Sequence, residues 1–493
     1  MKRLVRMIVS RTTFILVLLL AQIVLFLVLI DYVSNIGDWS IAFYAVSIII
    51  VIYLIAKEEN PYYKISWIIP ILVFPLFGGL FYLFYRQRNL SSTIIQRHLN
   101  IDSSRKDYTD TFENKLQTKK SIYLENQNWP TYSNTKTEFL GSGELMFERM
   151  LEDISKAKKY IFLEFFIINQ GQMWDTLLAL LKKKMSEGVD VKIIFDDFGS
   201  STLPFRYVNK MKKMGIDAIN FNPMRIHLNF AMNYRDHRKI VVIDGNVGYT
   251  GGINIGDEYI NKISPFGHWL DAGIRLEGEA VWSLVISFLE NYRFVGKKDV
   301  DYNHYKGHKS KESDGFVAPF TDTPLDRELT TKNMYLHLIS SANTSIDITT
   351  PYLIIDNELN TALKLAASSG VKVRIIIPYV PDKRIVYMVT ESYVPELVEA
   401  GCNVYRYEPG FIHSKMMIID SNKAMIGTAN LDFRSLYLHF ENSVFLDGCK
   451  TIQEMTTFFD ETVEKSICVT QTSKKNIIYR LIQIMLRGFA ALM

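Results

Sequence analysis

The chain has 493 residues, enough for two or three domains, and its 22% charged and 48% hydrophobic residues exclude a wholly disordered protein. A formal net charge of +4 is too small to argue for nucleic acid by itself. The three cysteines, Cys402, Cys449 and Cys468, are odd in number and scattered, and give neither a disulfide framework nor a zinc motif.

Residues 13–30 come first: no charge, one amide (Gln22), and nearly the length that crosses a bilayer core of about 30 Å. Lys2, Arg3, Arg6 and Arg11 precede them. No small-x-small cleavage site follows, so the segment reads as a retained anchor and not as a signal peptide. A second apolar segment, residues 41–56, follows a loop that carries Asp31 and Asp38 and no Lys or Arg. A third, residues 65–85, is interrupted by Pro70, Pro75 and Gly78-Gly79, and Arg86 and Arg88 come after it. The positive-inside rule places the N-terminus in the cytoplasm and returns Lys57 and Lys64 to that side. Two readings of the third segment stand. A full span places the rest of the chain outside, and a re-entrant hairpin bent at the prolines keeps it inside. The basic excess of Arg86, Arg88, Arg97 and Arg105 favours the cytoplasm. Residues 1–88 thus read as a multi-pass anchor, and residues 89–135, polar with weak periodicity, as a linker or an ordered connection without its own core.

Beyond the linker the chain repeats itself. Gly188-Val-Asp-Val-Lys-Ile-Ile-Phe195 answers to Gly370-Val-Lys-Val-Arg-Ile-Ile-Ile377, and Gly215-Ile-Asp-Ala-Ile-Asn-Phe-Asn-Pro223 to Gly401-Cys-Asn-Val-Tyr-Arg-Tyr-Glu-Pro409. Both pairs are strands entered through a glycine that ends a helix. The offsets, 370 − 188 = 182 and 401 − 215 = 186, are those of a duplicated domain. Helices alternating with short β-branched strands predict two α/β sandwiches, each with a mostly buried mixed sheet, related by a pseudo-twofold. The expected boundaries are 136–300 and 326–472, with a polar connection at 301–325. A basic, apolar tail at 473–493 reads as an amphipathic helix, either on an anionic membrane surface or docked on the catalytic domains.

Each half carries one His-x-Lys-x4-Asp motif. His237-Arg-Lys239-Ile-Val-Val-Ile-Asp244 precedes Gly251-Gly252-Ile-Asn254, and His413-Ser-Lys415-Met-Met-Ile-Ile-Asp420 precedes Gly427-Thr-Ala-Asn430. In a strand, alternate side chains share a face, so each His and Lys would point the same way. Two His-Lys-Asn sets facing each other suit a phosphodiester. One imidazole attacks phosphorus, and the other protonates the leaving alcohol and then deprotonates the incoming one. The lysines and the amides of Asn254 and Asn430 would stabilise the phosphoryl oxygens. Asp244 and Asp420 complete the catalytic motif by orienting its strands. A single His-x-Lys would read as a surface strand pair, but two equally spaced copies inside a duplicated domain would not. The site is expected to need no metal and no cofactor.

On these motifs, and on Glu59-Asn-Pro-Tyr-Tyr63, Asp196-Asp-Phe-Gly-Ser200, Trp269-Leu-Asp-Ala-Gly-Ile-Arg-Leu-Glu-Gly278 and Gly427-Thr-Ala-Asn-Leu-Asp-Phe-Arg-Ser435, the chain resembles the phospholipase D superfamily and, within it, the bacterial cardiolipin synthases. The resemblance covers nearly the whole chain. It implies transfer of a phosphatidyl group from one phosphatidylglycerol to another, giving cardiolipin and glycerol, at the plasma membrane. It also implies that Glu441 hydrogen-bonds the second-motif histidine, His413, and that Asp271 holds the comparable place for His237. The sequence leaves the nucleophile open; His237 is the expected one, with His413 as acid and base. A hydrolase, a phosphatidylserine synthase and a membrane-anchored nuclease are the competing readings. Three apolar segments suit lipid better than nucleic acid, and no oligomeric state is implied.

Overall fold

The structure, a computed structural model, describes residues 39–74, 78–79, 82, 92–109, 118–223, 233–307, 313–326, 328–470 and 476–492. The first apolar segment, Pro75, Arg86, Arg88, Lys309, Lys311, Lys474 and Lys475 lie outside them. The chain divides into two compact units, residues 1–87 and 88–493.

In the first unit, the second apolar segment is the helix Trp39–Ala56, with Ile48, Ile49, Ile52 and Ile55 exposed. The third begins earlier than its apolar run, as the helix Pro61–Val73, because Pro61 occupies the first turn and Asn60 Oδ1 accepts the Tyr62 N–H at 2.9 Å. Among the described residues no helix is long and apolar enough to cross a membrane. The 18 residues of Trp39–Ala56 rise about 27 Å, short of a core of about 30 Å.

The second unit is built on two mixed sheets. The strands are β1 (Thr135–Leu140), β2 (Tyr160–Phe165), β3 (Asp190–Asp196), β4 (Asp217–Phe221), β5 (Arg235–Asp236), β6 (Ile240–Ile243), β7 (Val247–Gly251), β8 (His268–Leu270), β9 (Gly273–Gly278) and β10 (Phe316–Asp322). They continue with β11 (Ser345–Thr349), β12 (Leu353–Ile354), β13 (Lys372–Pro378), β14 (Asn403–Tyr407), β15 (Gly410–Ile412), β16 (Met416–Ile419), β17 (Lys423–Gly427), β18 (Leu431–Asp432), β19 (His439–Asp447) and β20 (Ser466–Cys468). One sheet runs β1-β9-β7-β6-β2-β3-β4, the other β10-β19-β17-β16-β11-β13-β14-β20. Strand for strand, the second repeats the first with β20 added at its edge, which is the duplication seen in the sequence. β2, β3 and β4 are parallel, as are β11, β13 and β14; the remaining ladders of each main path are antiparallel. Gly188, Gly215, Gly370 and Gly401 enter β3, β4, β13 and β14 with φ between +89° and +99°, the left-handed turn that ends the preceding helix.

The two halves share one core. The helix Val281–Gly296 is buried from Val281 through Tyr292, on all its faces, with Ser283, Ser287, Glu290 and Asn291 buried among its apolar residues. Its neighbours in a single apolar cluster include Ile240, Val242 and Ile274 from the first sheet and Ile418, Val444 and Leu446 from the second.

Two connecting segments are ordered parts of the second unit. Residues 89–135 include the helices Ser92–Ser103, Lys106–Thr109 and Lys119–Asn126, fastened to the catalytic unit. Arg105 is buried with its guanidinium 2.9 Å from Glu290 and 4.0 Å from the Trp129 ring centroid, and Tyr123 OH donates to Glu328 at 2.6 Å. These contacts, together with the buried side chains of Ile101 and Leu124, hold the segment. In the same way, the 301–325 connection contains β10, an edge strand paired with β19 from Phe316↔Asp447 to Asp322↔Glu441.

Candidate active site

The motif histidines and lysines lie just outside the strands that were expected to hold them. His237, Arg238 and Lys239 bridge β5 to β6, and His413, Ser414 and Lys415 bridge β15 to β16. Their side chains still alternate. Lys239 Nζ donates to the His237 carbonyl at 2.6 Å and Lys415 Nζ donates to the His413 carbonyl, so each pair stays together. Arg238 points the other way, where it pairs with Asp236 at 2.9 Å and Glu164 at 3.0 Å. Asn291 donates to the same two carboxylates, at 2.8 and 2.7 Å. This buried network behind the site went unnoticed in the sequence; the alternation inside His-Arg-Lys was the signal that could have found it. Ser414 holds the equivalent place and donates to Thr349 at 2.8 Å.

The acids pair across the halves, the reverse of the expected assignment. His237 Nδ1 lies 2.9 and 3.0 Å from the two carboxylate oxygens of Glu441, and His413 Nδ1 lies 2.7 Å from Asp271 Oδ2. The backbone shows why. β5 runs parallel to β19 with Asp236 opposite Phe440, and the His237 N–H donates to the Phe440 carbonyl at 2.9 Å. β15 runs parallel to β8 with Ile412 opposite Leu270, and the His413 N–H donates to the Leu270 carbonyl at 2.7 Å. The next residue on each strand therefore sets a histidine against the acid of the other half. Because a carboxylate only accepts, each Nδ1 carries the proton and each Nε2 keeps its lone pair.

Burial sets the electrostatics. It pushes His413 down to about 4 and holds His237 well below its ordinary value. Burial alone would raise Glu441 and Asp271, but the facing histidines and lysines more than offset it, so both carboxyls stay below their ordinary values. Burial, with Lys415 repelling against the pull of Glu441, brings Lys239 down to about 7. Burial likewise brings Lys415 to about 8 against the pull of Asp271 and Glu441. Each lysine thus senses both acids, which puts the two motifs in one site. The fit is tight: a Cβ on Gly252 would lie 2.0 Å from Asp271 Oδ1 and 2.9 Å from the His413 carbonyl.

The other expected residues take supporting positions. Asn254 is buried, accepting the Ile167 N–H at 3.0 Å and donating to Tyr259 OH at 2.9 Å. Asn430 donates to Asp432 at 3.2 Å, and its buried Oδ1 has no hydrogen-bond partner among the described residues. Asp244 lies at the far end of β6 and accepts the N–H groups of Lys158, Lys159 and Tyr160 at 2.7–2.9 Å. Asp420 does the same for Thr344 at 2.7 Å, Ser345 at 2.9 Å and Asn343 at 3.0 Å. These backbone N–H groups hold the Asp420 carboxyl down, to about 2, against a burial that would raise it. Both aspartates pin the motif strand to its neighbour, at the end of the strand away from the histidine. His439 is also in the wall of the site. Its ring is 5.5 Å from that of His237, and Nδ1 is 3.7 Å from Glu441. His237, His439 and Glu441 also bring donor atoms within 4.8 Å of one another, the one such grouping among the described residues, though Glu441 already holds His237.

Comparison with known proteins places these features. The family described as "Cardiolipin synthase, PLD-like domain" matches residues 150–264 and 335–463, and "Phospholipase_D-nuclease N-terminal" matches residues 42–87. A protein named cardiolipin synthase 2 from Bacillus anthracis is 35% identical over 87% of this chain and 86% of its own length. A cardiolipin synthase from a Geobacillus strain is 34% identical over 85% of this chain and 86% of its own. An uncharacterized protein from Streptococcus mutans is 37% identical over 90% of this chain and 99% of its own. Among solved structures, phosphatidylserine synthase from Haemophilus influenzae superposes with a TM-score of 0.58 over 76% of this chain and 98% of its own, at 16% identity, a likeness of fold.

Proposed function

The chain belongs to the PLD-like cardiolipin synthase family, and from that premise we propose that it joins two phosphatidylglycerol molecules into cardiolipin and glycerol. The observation that carries the reading is the pair of histidines, each held by an acid from the other half, with the two motif lysines in the field of both acids.

The chemistry runs in two displacements. His237 Nε2 attacks the phosphorus of the first phosphatidylglycerol, and a phosphorus–nitrogen bond forms as the bond to the glycerol oxygen breaks. His413, protonated once the anionic substrate is beside it, delivers its Nε2 proton to that oxygen, and glycerol leaves. A hydroxyl of the second phosphatidylglycerol then gives its proton back to His413 and attacks phosphorus, releasing His237. Glu441 and Asp271 fix each imidazole by its Nδ1 proton and stabilise the charge that develops on it. Lys239 and Lys415 meet the charge on the phosphoryl oxygens in a dry site, where such contacts count most. His237 is assigned as nucleophile because both oxygens of Glu441 hold its ring, whereas one oxygen of Asp271 holds His413.

The substrates are bilayer lipids, and the N-terminal region is the anchor that keeps the enzyme with them. The exposed isoleucines of Trp39–Ala56 support this, and the Lys/Arg distribution favours a plasma-membrane protein whose catalytic unit faces the cytoplasm. The test is the lipid product made by purified protein in vesicles of labelled phosphatidylglycerol. Cardiolipin with glycerol is expected; phosphatidic acid alone would make water the acceptor and overturn the transferase reading.

A further inference from the structure

The C-terminal helix Ile477–Gly488 is mounted inside out. Its polar stripe, Tyr479, Gln483 and Arg487, faces the protein. Tyr479 OH donates to Glu391 at 2.9 Å, Gln483 Nε2 donates to the Met388 carbonyl at 3.0 Å, and the Arg487 guanidinium pairs with Glu396 over the Tyr393 ring. All four partners belong to the helix Arg384–Glu399. The apolar side chains are left outside: Ile477 is 68% exposed, Ile478 62%, Leu481 55%, Ile482 43%, Ile484 68% and Met485 66%. None of the helix's twelve residues is buried. A surface helix of a water-soluble domain does the opposite, turning its apolar stripe to the core.

The charges of this helix and of its neighbours in sequence say what covers the face. The helix has no acidic residue, Arg480 is exposed within the apolar side, and Lys474 and Lys475 precede it in the chain. Lys383, which caps the start of the helix that carries it, and Ile385 in that helix's first turn are both exposed, again basic and apolar. An apolar stripe bordered by Lys and Arg fits the boundary between acyl chains and anionic head groups. The mounting also reaches the site. Asp382, one residue before Lys383, accepts from Tyr352 OH at 2.5 Å and acts electrostatically on Lys415. We propose that Ile477–Gly488 lies in the surface of an anionic bilayer, its apolar side among the acyl chains, and so sets the catalytic unit's height at the lipid head groups. The proposal rests on the lipid-substrate reading and adds a second membrane contact to the N-terminal anchor.

The experiment uses full-length protein in vesicles containing phosphatidylglycerol, with the exposed Cys468 replaced by Ser and an environment-sensitive fluorophore on Ile484→Cys. Lys182→Cys, at an exposed position on another helix, is the aqueous control. Quenching of the 484 probe by acyl-chain spin labels and protection from aqueous iodide are expected, with the reverse at 182. Iodide quenching at 484 would overturn the proposal. Protection from both quenchers would also overturn it, since a protein surface, a second copy or a partner, would then cover the face. Cardiolipin formation measured on the same vesicles separates the two readings. A labelled enzyme that makes cardiolipin while its 484 probe stays aqueous loses only this inference, and a lipid-buried probe without cardiolipin loses only the function.

Discussion

Exchanging one acid in each half tests the crossed pairing and the mechanism together. In Glu441→Gln the amide can still meet His237 Nδ1 but no longer stabilises an imidazolium or enforces the tautomer with Nε2 free. The lost interaction is a charge-assisted hydrogen bond in a buried site, worth about 1.5–3 kcal/mol. At about 1.4 kcal/mol per decade this alone slows turnover by about 10–100-fold. Wrong-tautomer population would extend the loss toward the ~10⁴-fold seen for such an exchange in a serine-protease triad. Asp271→Asn should act comparably on His413. The two are told apart with a phosphatidyl ester of p-nitrophenol, whose leaving group needs no proton. In rapid-quench measurements of the first burst, His413→Ala and Asp271→Asn should recover, because that substrate bypasses the general acid. His237→Ala and Glu441→Gln should not. If the second pair recovers and the first does not, the nucleophile is His413 and the pairing still stands. If Glu441→Gln behaves like His413→Ala, the pairing itself is refuted.

Gly252→Ala should leave the fold intact and cut activity by about 10²-fold or more, since its Cβ would enter the space of Asp271 and the His413 carbonyl and disturb a pair that costs about 3 kcal/mol to break. Near-normal turnover, with an unchanged thermal midpoint, would show that the pair tolerates displacement. Lys239 at about 7 and Lys415 at about 8 are partly neutral in the empty site at pH 8, and a phosphodiester anion restores their charge. Binding of a phosphatidylglycerol analogue at that pH should therefore take up protons, read by calorimetry in buffers of different ionisation enthalpy; proton release would contradict the assignment. Burial, with Asp322 and Asp102 repelling, raises Asp326 to about 8. It stays protonated in the folded state where the unfolded chain has ionised it, so its contribution is fully present at low pH and is lost as pH rises through 8. Asp326→Asn removes that dependence, and its advantage in denaturant midpoint over wild type should widen from pH 5 to pH 8. A constant gap would place the ionisation elsewhere.

The parts of this enzyme that were legible in its sequence are those written locally. The two His-x-Lys-x4-Asp motifs, the glycine-led strands and the 182-residue offset survive in linear spacing, and the strand order of the two sheets repeats accordingly. What was not legible depends on contacts between distant segments. β5 has two residues, and β8 and β15 have three each, too short to leave a periodic trace, yet they decide which acid meets which histidine. The helices between residues 92 and 126 are held by Arg105 on Glu290 and Trp129, so polarity made them look like a linker. His439 left no sign of its place beside His237, because the two are 202 positions apart in the chain (439 − 237).

The crossed pairs follow from the symmetry of the fold. Where two halves face each other about a pseudo-twofold, a contact from the first half to the second implies its counterpart from the second to the first. β5 on β19 and β15 on β8 are such counterparts, and Glu441 on His237 and Asp271 on His413 are the chemistry they deliver. An acid taken from within each half would orient its histidine whether or not the halves were joined. An acid taken from the other half orients it only when they are closed on their common core. The same closure brings Lys239 and Lys415 into each other's field. The nucleophile, the acid–base and the phosphate-facing charges are therefore complete only where the two halves meet.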